Sequence, residues 1–483
     1  MKDFEAGSEQ SALKVVQAVD HFNEKVIDLV IGAELRILPG RREVYAAKLS
    51  PAKEAVVVKR FLAHPKQTRD WRAEWNGLLG LSHKGLPCAE PVCVAESSVD
   101  QSVWVVMKRI HGAITLGAYL RRADALGVEQ IASDLAVLVD RVHAVGARQK
   151  DQHVNNWVVA NGDLFLLDAG TFDLGDAPLS DFDRLMDVAS ICVTLLPSAE
   201  RTFRKSLSQC YMSDDPVRRK ALMAKLDTVI LEQQSGRLRR YYTKTIRDCT
   251  EFKKVASPKL MGMYSKSAAN GVVDTFFTNP ERFMSEGQCL KDGNTCTVQG
   301  FENGGVSYVL KRYNLKPWFR RLLKVFSDSR ARTSWSSAWL LDMAFIPTSR
   351  PVAYCEERRG LLKGKCYLLM EQLEGQLLPD FVESSLDSLD RIQAVAFSFA
   401  QVWSALGRMR AAHGDLKATN LLVDSEGVVY LFDLDAFRFG LSENAFQRGR
   451  EKDYRRFMKN WESMPDVQQI FKEALTLAGR DEC

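Results

Sequence analysis

The stretch His413-Gly414-Asp415-Leu416-Lys417-Ala418-Thr419-Asn420, followed by Leu431-Phe432-Asp433, decides the reading of this chain. An Asp, an Asn five residues later and a second Asp closing a short apolar strand form a phosphoryl-transfer pattern. In that pattern Asp415 orients or deprotonates an attacking hydroxyl, which makes it the candidate catalytic carboxylate. Asn420 and Asp433 are candidate Mg2+ ligands, because hard cations take oxygen donors. Lys417 is suited to neutralising the transferred phosphoryl group. His413 is expected to orient the loop rather than to do chemistry. Gly, Asp and Asn also populate ordinary surface turns. The correctly spaced Asp433 at a strand end favours the functional reading.

A weaker copy lies upstream. Asp151, Asn156 and Asp168 repeat the order, and Asp151 to Asn156 is again five residues. Other landmarks repeat in sequence. Val56-Val57-Val58-Lys59-Arg60 matches Tyr308-Val309-Leu310-Lys311-Arg312, and Arg72-Ala73-Glu74-Trp75 matches Arg332-Thr333-Ser334-Trp335. Pro87 and Pro347 each follow their Trp by twelve residues, and Pro91-Val92 matches Pro351-Val352. Apolar strands at Val103–Met107 and Cys366–Met370 precede the turns at Gly112 and Gly375. An ordered series of matches carries far more weight than a single motif. It predicts an α+β chain of two tandem units, 1–215 and 281–483. Residues 216–280 would join them as a helix and a Ser/Gly/Asn-rich connector.

Composition fits this. A chain of 483 residues exceeds one ordinary core. Net charge of +5 is too mild to argue for nucleic acid, and none is expected as a partner. The ten cysteines are scattered without a C-x-x-C pair, which suits reduced thiols and a cytoplasmic setting. Neither a leader nor an 18-residue apolar span is read.

The halves differ in their gaps. Lys59 and Lys311 are the candidate lysines for the ATP phosphates, and such a strand lysine is usually paired with a helix Glu. Glu74 fills that role in the first half, but Ser334 stands there in the second. Either another acid pairs with Lys311, or ATP sits differently, or the second site is impaired. Asp342, further along that helix, is a candidate substitute or simply a solvent-facing acid. The first half has Gln149 where the second has His413. His153, two after Asp151, reads as a loop histidine of small-molecule phosphotransferases or as a packing residue. The phosphate-covering loops are Gly40-Arg41-Arg42 and the turn around Gly293. Each is equally a plain turn. Met370 to Leu373 is the expected adenine hinge. Asp453, and Asp181 or Asp183 in the first half, are candidates to buttress the catalytic loops, or ordinary helix N-terminal acids.

These residues carry a resemblance. Both halves resemble the protein-kinase-like fold with a β-rich small lobe and a helical large lobe. Lys311-Arg312-Tyr313-Asn314, Ser329-Arg330-Ala331-Arg332-Thr333-Ser334-Trp335, Ile346-Pro347-Thr348 and His413-Gly414-Asp415 are similar to the lipopolysaccharide core sugar kinases, the Kdo/heptose (WaaP/InaA-like) family. The resemblance implies a kinase using ATP and Mg2+. It would phosphorylate a heptose or Kdo hydroxyl of a lipid-anchored saccharide at the cytoplasmic membrane face. One active domain paired with a regulatory pseudokinase is the alternative, as is a kinase of another small molecule or a protein. Residues 316–326 alternate basic and large apolar side chains. That stretch suits either an anionic surface, as a peripheral inner-membrane contact, or packing on its own lobe.

Overall fold

The computed structural model describes residues 14–20, 26–38, 40–51, 53–97, 99–212, 214–268, 271–314, 327–360 and 362–480. The basic stretch 316–326 and the N-terminal residues read for a leader lie outside these. The chain divides into two compact units, Met1–Ile230 and Leu231–Cys483. Both combine a sheet with a helical portion, so the chain is α+β.

The first unit is built on a closed barrel in the order β1-β2-β3-β4-β6-β5. Its strands are β1 (Lys14–Asp20), β2 (Val26–Leu38), β3 (Arg42–Ser50), β4 (Glu54–Phe61), β5 (Pro91–Glu96) and β6 (Val103–Lys108). Strand alternation sends Val56 and Val58 into a core with Leu29, Ala47, Trp104 and Val106. Lys59 therefore points to the opposite face. Helix α1 (Gln67–His83) follows β4 and buries Glu74, Trp75 and Leu78.

The second unit repeats this order. Strands Gln288–Asp292, Cys296–Asn303, Val306–Tyr313, Leu362–Glu371 and Pro351–Arg359 are neighbours in that sequence, as β2-β3-β4-β6-β5 are in the first unit. Helix Arg330–Met343 follows the third strand as α1 does. A helical core follows, centred on Phe399, Trp403, Phe457, Trp461 and Phe471.

The division differs from the expected linker over 216–280. Helix Pro216–Thr245 runs across the boundary. Strands Phe252–Ala256 and Leu260–Ser265 then extend the second unit's sheet beyond Pro351–Arg359. Small and polar residues there read as a connector, but Phe252 and Met263 are core, packed with Trp335, Trp339 and Tyr354. Gly262 serves close strand packing, since a Cβ would lie 2.1 Å from the Tyr354 carbonyl oxygen. Among the described residues, no helix is long and apolar enough to cross a membrane.

One contact fixes α1 over the first site. A Cβ on Gly77 would meet the Ala169 carbonyl oxygen at 2.1 Å. Backbone cannot retreat as a flexible side chain can, so Gly77→Ala is expected to cost about 1–3 kcal/mol. Denaturant unfolding measures this, and unchanged stability would contradict the close packing.

Candidate functional site

In the second unit the Asp415 loop is held from several sides. Asn420 Nδ2 donates to the Asp415 carbonyl at 2.9 Å. That commits the amide end and leaves Oδ1 as the end able to face a cation. The Phe432 N–H donates to the Asn420 carbonyl at 3.2 Å, tying the loop to the strand that leads into Asp433. His413 is fully buried, and its Nε2 lies 3.0 Å from the Phe432 carbonyl oxygen. Its Nδ1 accepts from the Asp415 N–H at 3.3 Å. These bonds assign a neutral imidazole protonated on Nε2. Gly414 has a φ of +81°, and a Cβ there would lie 2.7 Å from the Ala436 carbonyl oxygen. Its N–H donates to both carboxylate oxygens of Asp453, at 3.0 and 3.1 Å. Asp453 thus sits where a buttress from a later helix is needed.

The first unit repeats these bonds with different side chains. Asn156 Nδ2 donates to the Asp151 carbonyl at 2.6 Å, and the Leu167 N–H donates to the Asn156 carbonyl at 2.8 Å. Gln149 is buried, and its Nε2 donates to the Leu167 carbonyl at 3.0 Å. Leu167 precedes Asp168 as Phe432 precedes Asp433, so Gln149 reproduces the bond of His413. Asp168 and Asp433 both adopt left-handed backbone, with φ of 51° and 62°. This conformation is uncommon for residues other than glycine, and it recurs at functional sites.

The expectation for Asp181 or Asp183 is corrected. Asp181 pairs with Arg218 at the surface, and Asp183 with the half-buried Arg148. The buried acid beneath the first loop is Asp187, which meets His143 Nε2 and Gln152 Nε2, each at 2.8 Å. Helix Asp181–Cys192 turns Asp187 inward and its first-turn acids outward. His153 caps the short turn Val154–Asn156, its Nδ1 accepting from the Asn155 N–H at 3.1 Å.

The strand lysines are the centre of each charge cluster. Lys59 Nζ is 2.6 Å from Glu74 and 2.9 Å from Asp168. Burial opposes its charge, but Glu74 and Asp168 outweigh burial and raise its pKa above the usual lysine value. The Lys59 charge, working against burial, holds Asp168 down at about 2.

In the second unit Lys311 pairs with Asp433 and, at 3.1 Å, with Asp435. The acid missing from the helix is thus supplied two residues after Asp433, in Asp433-Leu434-Asp435. Ser334, at the helix position of Glu74, donates to Asp435 at 2.8 Å. Tyr313 donates to Asp435 at 2.6 Å, and Arg330 pairs with it. Burial raises the Asp435 pKa, but Lys311 and Arg330 prevail and hold it below the usual carboxylate range. Asp342 is exposed at the helix's outer side.

Asp415 carries a feature the motif did not reveal. Arg456 pairs with one of its oxygens, and Lys417 Nζ lies 3.7 Å from the other. Arg456 and Asp453 are three residues apart on helix Glu443–Met458, hence on one face. An Arg three residues after a candidate buttress was the available signal. Gly293 lies in a tight hairpin, its N–H donating to the Cys296 carbonyl at 3.1 Å and its carbonyl accepting from Asn314 Nδ2 at 3.0 Å. The expected hinge is anchored by N–H bonds from Glu371 to the Arg350 carbonyl and from Gln372 to the Ser307 carbonyl. Among the described residues, no group of three or more His, Cys, Asp or Glu is poised for a metal. A pair made of Asn420 and Asp433 differs from such a cluster, since an amide and one carboxylate suit a cation shared with phosphate oxygens.

His413 yields a test. Burial lowers its pKa, against the Phe432 carbonyl and Asp453, which raise it. Below an unfolded value of about 6.5 the unfolded chain takes the proton first, so the histidine's contribution to stability is full above that pH and falls as pH drops. His413→Gln should retain most activity, because Gln149 makes the same bond in the first unit. It should also flatten the acid side of the stability profile. Loss of activity to the level of His413→Ala would contradict this.

Residues 279–476 match the lipopolysaccharide kinase (Kdo/WaaP) family. The second unit is therefore similar to the family that its motifs indicated. A 3-deoxy-D-manno-octulosonic acid kinase from Photobacterium profundum is 29% identical over 159 residues, 30% of this chain and 60% of that relative. The chain thus spans less than two thirds of the curated relative that it matches.

Proposed function

We propose that this chain is an ATP- and Mg2+-dependent kinase of tandem kinase-like, two-lobed domains. Its second unit phosphorylates a sugar hydroxyl of lipopolysaccharide core. The observation carrying this reading is the convergence of Asp415, Asn420, Asp433 and Lys311 within the segment similar to sugar kinases. Lys311 holds the nucleotide phosphates. Asn420 and Asp433 are the ligands for Mg2+, which supplies charge neutralisation on the phosphates when bound. Asp415 takes the proton of the acceptor hydroxyl as its oxygen bonds to the γ-phosphorus and the bond to ADP breaks. Positioning and electrostatics supply most of the rate.

Between the two expected sugars, the site favours the acidic one. Lys417 and Arg456 put two cations against the single carboxylate of Asp415. An acceptor hydroxyl that displaces Arg456 from Asp415 leaves a cation to be satisfied, and a Kdo carboxylate satisfies it where neutral heptose does not. The named relative acts on the same acid. A lipid-anchored substrate of this kind supports a peripheral position at the cytoplasmic face of the inner membrane. Transfer of labelled γ-phosphate to Kdo-terminated and heptose-terminated core acceptors is the test. Kdo is expected to be preferred at least about tenfold, which corresponds to roughly one charge-assisted bond. Preference for heptose would overturn the sugar assignment, and transfer to neither would overturn the reading.

A further inference from the structure

Helix Glu443–Met458 carries more positive charge than the Asp415 loop beneath it uses. Arg448, Lys452 and Arg456 are spaced four residues apart, and Lys459 follows as the C-terminal cap, still in helical backbone. At 3.6 residues per turn these side chains fall within an arc of about 80° and run about 16 Å along the axis. All are exposed. The stripe adjoins the loop. Lys452 Nζ donates to the Gly414 carbonyl at 3.1 Å, and Arg456 pairs with Asp415. Gly449, on the buried side, lets the helix come close, since a Cβ there would lie 2.7 Å from the Ala412 Cβ, one residue before His413. Lys417 adds a further cation from the loop itself.

No acid of this helix offsets the stripe. Glu451 is paired with Arg455, and Glu443 with Arg410. Arg448, Lys452 and Lys459 form no ion pair among the described residues. Like charges one turn apart repel, so the stripe does not serve folding. The first unit supplies a contrast. Its helix Asp181–Cys192 carries the buried acid Asp187 where this one carries Asp453. Counted from those acids, the four positions of the stripe are Phe182, Met186, Ser190 and Val193 in the first unit. The charge is therefore a property of the second site and not of the fold.

We propose that Arg448, Lys452 and Lys459 form an outer acceptor subsite for a second oxyanion of the saccharide, a phosphate or a carboxylate on a sugar next to the one that reacts. An acidic group on the reacting sugar itself is met at Arg456 and Lys417, so the remaining cations call for an anion further along the acceptor. Arg448 lies about 12 Å along the helix from Arg456, farther than one sugar ring reaches. The inference rests on the kinase reading for the place of the acceptor hydroxyl at Asp415, and it adds which saccharides that site selects.

Calorimetric titration of the full chain with three lipid-free Kdo acceptors tests it. The probes are the simple methyl glycoside, a glycoside bearing a second acidic sugar, and one bearing a phosphate on the neighbouring sugar. At least one of the latter two should bind about fivefold or more tightly than the first, and the one that does so identifies the oxyanion. Arg448→Gln/Lys459→Gln, which leaves both cations that touch the loop in place, should bring that ratio within about twofold of unity. Added salt should have the same effect. Circular dichroism melting confirms that the variant is folded, and Arg448→Gln alone serves if the double variant unfolds. Equal affinity for the three probes, or a preference that survives the substitutions, overturns the subsite; continued transfer of phosphate would then leave the kinase reading intact. A variant that keeps the preference but no longer sediments with phosphatidylglycerol vesicles assigns the stripe to a membrane surface and overturns the proposal. The expected preference in binding, without transfer from ATP to any probe, supports the subsite and overturns the kinase reading instead.

Discussion

Asp415→Asn is expected to lower phosphate transfer about 10³-fold while leaving nucleotide affinity and stability nearly unchanged. The substitution removes the proton acceptor and little else. Asn420 holds the loop through the Asp415 carbonyl, and His413 through the Asp415 N–H, so neither bond involves the carboxylate. Gly414 is anchored independently by Asp453. The partners lost are Arg456 and Lys417, half-exposed contributions worth little to folding. Single-turnover rates with an acidic-sugar acceptor are the measurement. A loss below tenfold would remove Asp415 from the proposed chemistry. If transfer persists there and vanishes with Asp151→Asn, the first unit carries the activity.

Asp435→Asn is expected to act differently, lowering both stability and activity. Asp435 is a buried hub for Lys311, Tyr313, Ser334 and Arg330. Neutralising it leaves Lys311 with Asp433 alone, and removing one member of a buried charge cluster costs about 3–5 kcal/mol. Activity should fall at least about 10²-fold through misplacement of Lys311. The decisive variant is Ser334→Glu/Asp435→Gly, which copies the first unit's Glu74 and Gly170. It should recover at least tenfold over Asp435→Asn, since an acid again reaches the lysine. A double variant as poor as the single one would mean that Asp435 does something other than hold Lys311.

Much of this was legible in the sequence. The loop residues His413 to Asp433 and their upstream copies fall together in space as their spacing implied, because turns and strand ends are local. The paired landmarks around Trp75 and Trp335 mark corresponding helices after the third of five similarly ordered strands. What sequence could not supply were pairings across long separations. Asp435 answers Lys311 over 124 residues of chain, and alignment looked for its acid only at the helix. Gln149 looked like a defect because its chemistry differs from histidine, yet an amide N–H reaches the same carbonyl. Asp187 was missed for the first-turn Asp181 and Asp183, since helix-start acids are conspicuous in sequence and inward rotation is not. The connector read within 216–280 contains strand Leu260–Ser265, because Gly262 signals close packing as readily as flexibility.

The placement of Asp435 alters how the second unit can be controlled. In the first unit one of the lysine's two acids rides on a separate helix, so displacing α1 would part Lys59 from Glu74 and leave it Asp168 alone. In the second unit both acids belong to one short loop, and the helix supplies only Ser334 and Arg330 as outer braces. A swing of that helix would loosen the brace without breaking the lysine's pairing with either carboxylate. The first unit thereby ties its lysine to a separate helix, and the second ties it to a single loop. Any partner that tunes this chain by pushing on a helix would find its lever in the first unit.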